Sequence, residues 1–217
     1  MRIGILGGTF NPIHIAHLRV AEEVREACAL DQILFIPAAT PPHKATAAEV
    51  GFAQRLAMVK AAIDDNPSFA ASDIESRRSG KSYSVHTLEI LRRERPDDEL
   101  FFLIGMDSFR DLPSWKEYRR LFHLANVVVA DRPGVHPGDP KDLLPVAIRE
   151  EFCYDCTSQT LLHQSGTSVF FVEETLLDIS STHIRHLLKR GRSIRYLVPP
   201  AVEQYIDRHR LYRDQER

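Results

Sequence analysis

The chain has 217 residues, 43% of them hydrophobic and 27% charged, with a formal net charge of −2. That is enough chain for one folded domain with its own core, and the near-neutral balance is less basic than a general nucleic-acid binder usually is, so any basic site here is local. The three cysteines, Cys28, Cys153 and Cys156, are too few for a disulfide framework and fit a reducing cytoplasm; the N-terminal apolar run, Ile3 to Leu6, meets glycine too soon for a signal peptide or a membrane span.

In chain order, residues 3–6 (IGIL) read as a strand, followed by a helical pattern over 15–29. A strand over 33–37 (ILFIP), a helix over 50–64, a strand over 69–74 and a helix over 84–95 come next. Then follow a strand over 99–105 (ELFFLIG), a helix over 114–123, a strand over 126–130 (NVVVA), a helix over 140–152 and a strand over 168–173 (SVFFVE). Several of these strands are apolar on both faces, as in a parallel sheet covered by helices. The alternation predicts an α/β, Rossmann-like, doubly wound parallel sheet with right-handed crossovers. Such sheets bind ligands at the carboxyl ends of their strands, so the loops after Leu6, Pro37, Gly105 and Ala130 are the candidate site. The stretch 131–167 is the least patterned. From Ser180 the chain reads as two or three short helices, with Ser180 or Ser181 as an N-cap and Pro199-Pro200 opening the last. The whole, 1–217, is expected to be one domain with 180–217 as a C-terminal helical segment.

The opening, GGTFNPIHIAH (7–17), asks more than a turn requires. Gly7 and Gly8 would permit a tight turn and close backbone approach. A helix starting near residue 15 would offer free N–H groups and a positive dipole end to an anion. His14 and His17 lie three apart, on one face of that helix start, and can donate to phosphoryl oxygens. The segment is neither a P-loop nor G-x-G-x-x-G, and zinc lacks a third ligand in reach. Cys153-x-x-Cys156 lacks a second pair at zinc-finger spacing. Near the other end, ISSTHIR (179–185) places hydroxyls and Arg185 around a second helix start, a suitable cradle for polyphosphate.

An H-x-x-H loop paired with an S-x-T-x-I-R segment resembles the nucleotidyltransferase superfamily of adenylyl- and cytidylyltransferases. Between the two ends lie Pro41-Pro42-His43-Lys44, Ser82-Tyr83-Ser84 with Thr87, the run FFLIGMDSFRDLPSW (101–115), VVADRPG (128–134) and PPAVEQYIDRHRLY (199–212). In this order they resemble the bacterial nicotinate mononucleotide adenylyltransferase family over essentially the whole chain.

The resemblance implies adenylyl transfer from MgATP to nicotinate mononucleotide. It implies an ATP-phosphate site from Gly7, Gly8, Thr9, Phe10, His14 and His17, with Ser180, Thr182 and Arg185 on the β- and γ-phosphates. Gly105 and Asp107 fall on the adenosine side, and His43, Lys44, Tyr83, Ser84, Thr87, Trp115 and Arg132 on the mononucleotide side. His14, His17, Lys44 and Arg185 are the implied catalytic set, with no protein-held metal and Mg²⁺ carried on the ATP phosphates. No nucleic-acid or membrane partner is implied, and a homo-oligomer is compatible. Two positions depart from the common pattern: Ala16 stands where many members have glycine, and Asn11 where many have aspartate. A helical Ala16 fits, whereas a left-handed one would be strained; Asn11 loses a charge but keeps a turn-forming amide.

Overall fold

The computed structural model describes residues 1–41, 50–131, 140–157 and 160–213. Its strands are β1 (Arg2–Gly8), β2 (Gln32–Pro37), β3 (Phe69–Ala71), β4 (Glu99–Gly105), β5 (Asn126–Asp131), β6 (Phe152–Asp155), β7 (Thr160–His163) and β8 (Ser168–Glu173). They hydrogen-bond in the order β3-β2-β1-β4-β5-β8-β7-β6. The helices are α1 (Ile15–Ala27), α2 (Phe52–Ile63), α3 (Ser84–Glu94), α4 (Met106–Arg110), α5 (Tyr118–Leu124), α6 (Ser181–Lys189) and α7 (Pro200–Arg208). All six expected strands are present, and the fold is the expected Rossmann-like α/β sheet, predominantly parallel.

The chain divides into two compact units, each assembled from separated segments. Unit 1 comprises Met1–Leu6, Glu22–Ile33 and Tyr83–Leu176; unit 2 comprises Gly7–Ala21, Leu34–Ser82 and Leu177–Arg217. In unit 1, β1 pairs parallel with β4 (Ile3 opposite Leu100), β4 with β5 (Leu103 opposite Val128) and β5 with β8 (Val128 opposite Phe170). Phe101, Leu103, Val128 and Val129 are buried along these strands, as the continuous apolar runs predict. α3 packs on α5, and the Arg92 guanidinium donates to the Leu124 carbonyl at 2.6 Å, satisfying a helix-end acceptor. In unit 2, α2 packs against β3 and α7, burying Phe35, Met58, Val202 and Ile206.

The helix expected over 140–152 is absent. Pro140–Leu143 and Val146–Glu151 form 3₁₀ turns, and Phe152–Asp155 and Thr160–His163 form the antiparallel strands β6 and β7 beside β8. Pro140 and Pro145 interrupt any continuous helix there. The four-residue strands exist through pairing: β6 on β7, and β7 on β8 across a turn in which Gly166 has φ +90°. The helix expected over 114–123 starts later, at Tyr118, after a 3₁₀ turn at Leu112–Ser114. A short helix, α4, follows β4 directly.

Candidate active site

The turn that carries the histidines belongs to unit 2. Gly7 and Gly8 are the last residues of β1, and the left-handed residue of the turn is Phe10, at φ 46°. Gly8 is required by close approach instead: a Cβ there would lie 3.0 Å from the Phe10 ring, whereas one at Gly7 would meet nothing within 4 Å. Phe10 is buried, against Phe35 on one side and edge-on to His17 on the other, with ring centroids 5.1 Å apart in the latter pair. The Asn11–Pro12 peptide is cis.

His14 is 5% exposed and stacks on His17, centroids 3.7 Å apart. The His14 backbone N–H donates to His17 Nδ1 at 3.2 Å. Burial, with the His14 ring beside it, pushes the His17 pKa down to about 3; burial takes His14 to about 4. Both rings are therefore neutral at pH 7. With Nδ1 of His17 accepting, its proton sits on Nε2, which makes Nε2–H a hydrogen-bond donor. The His14 Nδ1 is buried with no hydrogen-bond partner among the described residues, the kind of orphan that a ligand satisfies. The expected row of free amides at the start of α1 is shorter than the sequence implies. Ile15 N–H donates to the Leu197 carbonyl and His14 N–H to His17. Ala16 lies inside α1 with ordinary helical backbone, so the departure at that position fits.

The ISSTHIR segment meets this turn within unit 2. Ser180 caps α6, its hydroxyl accepting from His183 N–H at 3.2 Å. Ser181 Oγ donates to the Pro12 carbonyl at 2.8 Å, and Arg185 Nη1 donates to the Asn11 carbonyl at 2.8 Å. Arg185 Nη2 also reaches Thr182 Oγ1 at 3.3 Å. Sequence spacing thus pairs the right segments, but part of Arg185's hydrogen-bonding capacity goes to the turn itself. The basic run beyond it ends α6 before Gly191, which is left-handed at φ 64°, so cations there complement a helix C-terminus.

The remaining described residues of the expected site lie in unit 1. Tyr83 is the N-cap of α3 and Ser84 its first residue. Thr87 is buried, and its hydroxyl donates back to the Tyr83 carbonyl at 3.4 Å. Lys116 Nζ stands 5.0 Å from the centre of the Tyr83 ring, which brings the Trp115 segment to the start of α3. Trp115 is half-buried, edge-on to Phe102 at 6.3 Å. Gly105 is the N-cap of α4, and Asp107, exposed, lies in its first turn. His43, Lys44 and Arg132 fall outside the described residues.

Two residues the sequence reading did not single out touch the histidine turn. Arg55, 2% exposed on α2, donates to the Thr9 carbonyl and to the Ala38 carbonyl, each at 2.7 Å. Tyr212, 5% exposed, donates to Asn11 Oδ1 at 2.6 Å. Arg55 carried a signal, since it falls on the apolar face of its helix with Met58, Val59 and Ala62. Tyr212 closes the matched segment PPAVEQYIDRHRLY, but nothing local in the sequence shows what its hydroxyl bonds. Cys153 and Cys156 are exposed free thiols, and among the described residues no group of three or more His, Cys, Asp or Glu gathers as a metal cluster.

Residues 5–187 match the cytidylyltransferase-like family, to which the chain belongs. A protein of Syntrophotalea carbinolica named a probable nicotinate-nucleotide adenylyltransferase is 67% identical over 217 residues, all of both chains. One of Geobacter sp. (strain M21), with the same name, is 57% identical over 214 residues, 99% of each chain. These full-length relatives place the chain, within that family, among the nicotinate-nucleotide adenylyltransferases. The same fold occurs in the Plasmodium falciparum nicotinic acid mononucleotide adenylyltransferase complexed with NaAD, at TM-score 0.73 and 20% identity over 97% of each chain. It occurs again in that enzyme complexed with APC, at TM-score 0.71 and 19% identity over 97% and 96%.

Proposed function

We infer that the chain is an adenylyltransferase that joins ATP to nicotinate mononucleotide, giving nicotinate adenine dinucleotide and pyrophosphate in NAD biosynthesis. A phosphate oxygen of the mononucleotide forms a bond to the α-phosphorus of ATP, and the bond from that phosphorus to the oxygen bridging the β-phosphate breaks. No protein nucleophile takes part, so positioning and charge stabilisation carry the reaction.

The single observation that carries the mechanism is the neutral, tautomerically fixed His17, with Nδ1 engaged by the His14 amide and Nε2–H left to donate. We assign that donor to an α-phosphoryl oxygen, where charge grows as the leaving group departs. His14 offers its unpartnered ring nitrogen to the same phosphates. Arg185, Ser180 and Thr182 are proposed on the β- and γ-phosphates, and the turn backbone Gly7–Phe10 beside the triphosphate. A neutral donor cannot balance a polyanion. Arg185 and Lys44 would supply positive charge, and Mg²⁺, arriving with the nucleotide as MgATP, would supply the rest.

On unit 1, Asp107 and Gly105 are assigned to the adenosine side. Tyr83, Ser84, Thr87 and Trp115, with His43, Lys44 and Arg132, are assigned to the mononucleotide, Trp115 stacking on its pyridine ring. We propose that the whole chain acts as one nucleotidyltransferase domain, with 180–217 completing the phosphate site. Among the described residues no helix is long and apolar enough to cross a membrane, and we propose a cytoplasmic location from the low cysteine content. The test is pyrophosphate release from MgATP with nicotinate mononucleotide and nicotinamide mononucleotide offered separately. Turnover favouring nicotinate supports the reading. Equal or reversed preference overturns the mononucleotide pocket, and no release with either overturns the reaction.

A further inference from the structure

The histidine turn is held by two buried residues from elsewhere in the chain, Arg55 and Tyr212. Arg55 is buried, and its guanidinium bridges two carbonyls, Thr9 in the turn and Ala38 just past β2. A buried guanidinium is costly to desolvate; both terminal nitrogens of Arg55 are used on these carbonyls, while its buried Nε has no partner among the described residues. Tyr212 comes from the far end of the chain, 201 residues from Asn11, and buries its hydroxyl on the Asn11 side chain. The backbone strains to deliver it: Arg210 and Tyr212 both adopt left-handed conformations, at φ 49° and 62°. Together Arg55 and Tyr212 fix Thr9 and Asn11, on either side of the left-handed Phe10, whose ring abuts His17. Mere packing of α2 and the C-terminal tail would not need a buried charge and a buried hydroxyl aimed at two residues of one turn, on either side of Phe10.

We propose that Arg55 and Tyr212 are positioning residues for adenylyl transfer, a buried brace that sets where His14 and His17 present their ring nitrogens to the phosphates. This rests on the reading of His17 as the α-phosphate donor. A brace of this kind acts on the transition state more than on ground-state binding, because a small displacement of a preorganised donor is felt where charge develops.

The experiment is a kinetic cycle with Tyr212→Phe, which removes one oxygen atom and keeps the ring, measured alone and in a His17→Ala background. Tyr212→Phe is expected to lower kcat about tenfold with the KM for ATP changed less than about threefold. In the His17→Ala background the same change is expected to lower kcat less than about twofold, because the group it positions is gone. A tail residue with only a structural role would act equally in both backgrounds, or would lower the melting temperature and leave kcat unchanged; either result overturns the brace. Full activity of folded His17→Ala would overturn the donor assignment instead, so the two failures are distinguishable. Should Tyr212→Phe lose the fold, Arg55→Lys carries the same cycle: it keeps the charge but cannot bridge both carbonyls.

Discussion

The turn after β1 and the turn after β4 both lie at the carboxyl end of a parallel strand and both lead into a helix. They are held by different means. After β1, residues 9–12 receive hydrogen bonds from Arg55, Ser181, Arg185 and Tyr212, from 46 to 201 residues away in sequence. After β4, Gly105 starts α4 without a side-chain cap, and the bonds that close the turn are local, such as Asp111 N–H to the Asp107 carbonyl. The first is a buried turn fixed by long-range hydrogen bonds, the turn proposed above to present the donors. The second is an exposed helix start, proposed above for the adenosine side. The difference matches the tasks assigned to them, since charge stabilisation at phosphorus needs rigidity and nucleoside binding tolerates adjustment.

That comparison can be broken most directly at His17. His17→Ala is expected to lower kcat by about 10²–10³ in a protein that still folds, as lost transition-state donors do; steady-state pyrophosphate release alongside circular dichroism checks it. Arg185→Ala should raise the KM for ATP about tenfold, the scale of a lost charge-assisted contact, and should also reduce kcat, because the same guanidinium holds the Asn11 carbonyl. An unchanged ATP KM would remove Arg185 from the phosphates. On the other unit, Trp115→Ala should raise the KM for nicotinate mononucleotide about fivefold, within the range of a lost aromatic stack, and affect ATP less. The reverse order would misplace the pocket.

A smaller effect is thermodynamic. His14 and His17 titrate near 4 and 3 in the folded protein, against 6.5 in an unfolded chain. Below about pH 6.5 the unfolded chain binds protons that the native state refuses. Stability is fully present above that pH and is lost as pH falls toward 4 and below. Urea unfolding at pH 7 and pH 4.5 should show this loss, and replacing both histidines by asparagine should reduce it. The buried His163, whose pKa is also lowered, leaves a residual slope of the same sign. Smallest of all, Ala16→Gly should leave kcat within about twofold and cost at most about 1 kcal/mol of stability, since Ala16 is simply helical.

The parallel strands were legible because fully buried strands write continuous apolar runs such as ELFFLIG and NVVVA. The two motifs were legible because their residue types exceed what a turn or a cap requires. What remained hidden was long-range. β6 and β7 are four-residue strands with no periodicity to read, formed by pairing beside β8. The position of the left-handed residue escaped because two glycines preceded a phenylalanine, and propensity favours glycine there; packing of the Phe10 ring against Gly8, Phe35 and His17 decided otherwise.

By itself, then, the chain determined its alternating α/β order and marked the two segments, GGTFNPIHIAH and ISSTHIR, that the fold brings together, because local patterning and residue chemistry act over a few positions. Only the tertiary structure decided that His14 and His17 are neutral, that His17 carries its proton on Nε2, and that Arg55 and Tyr212 hydrogen-bond Thr9 and Asn11 in the turn that carries the histidines. Burial and hydrogen bonding between residues far apart in sequence set all three, and no local window of sequence contains both partners.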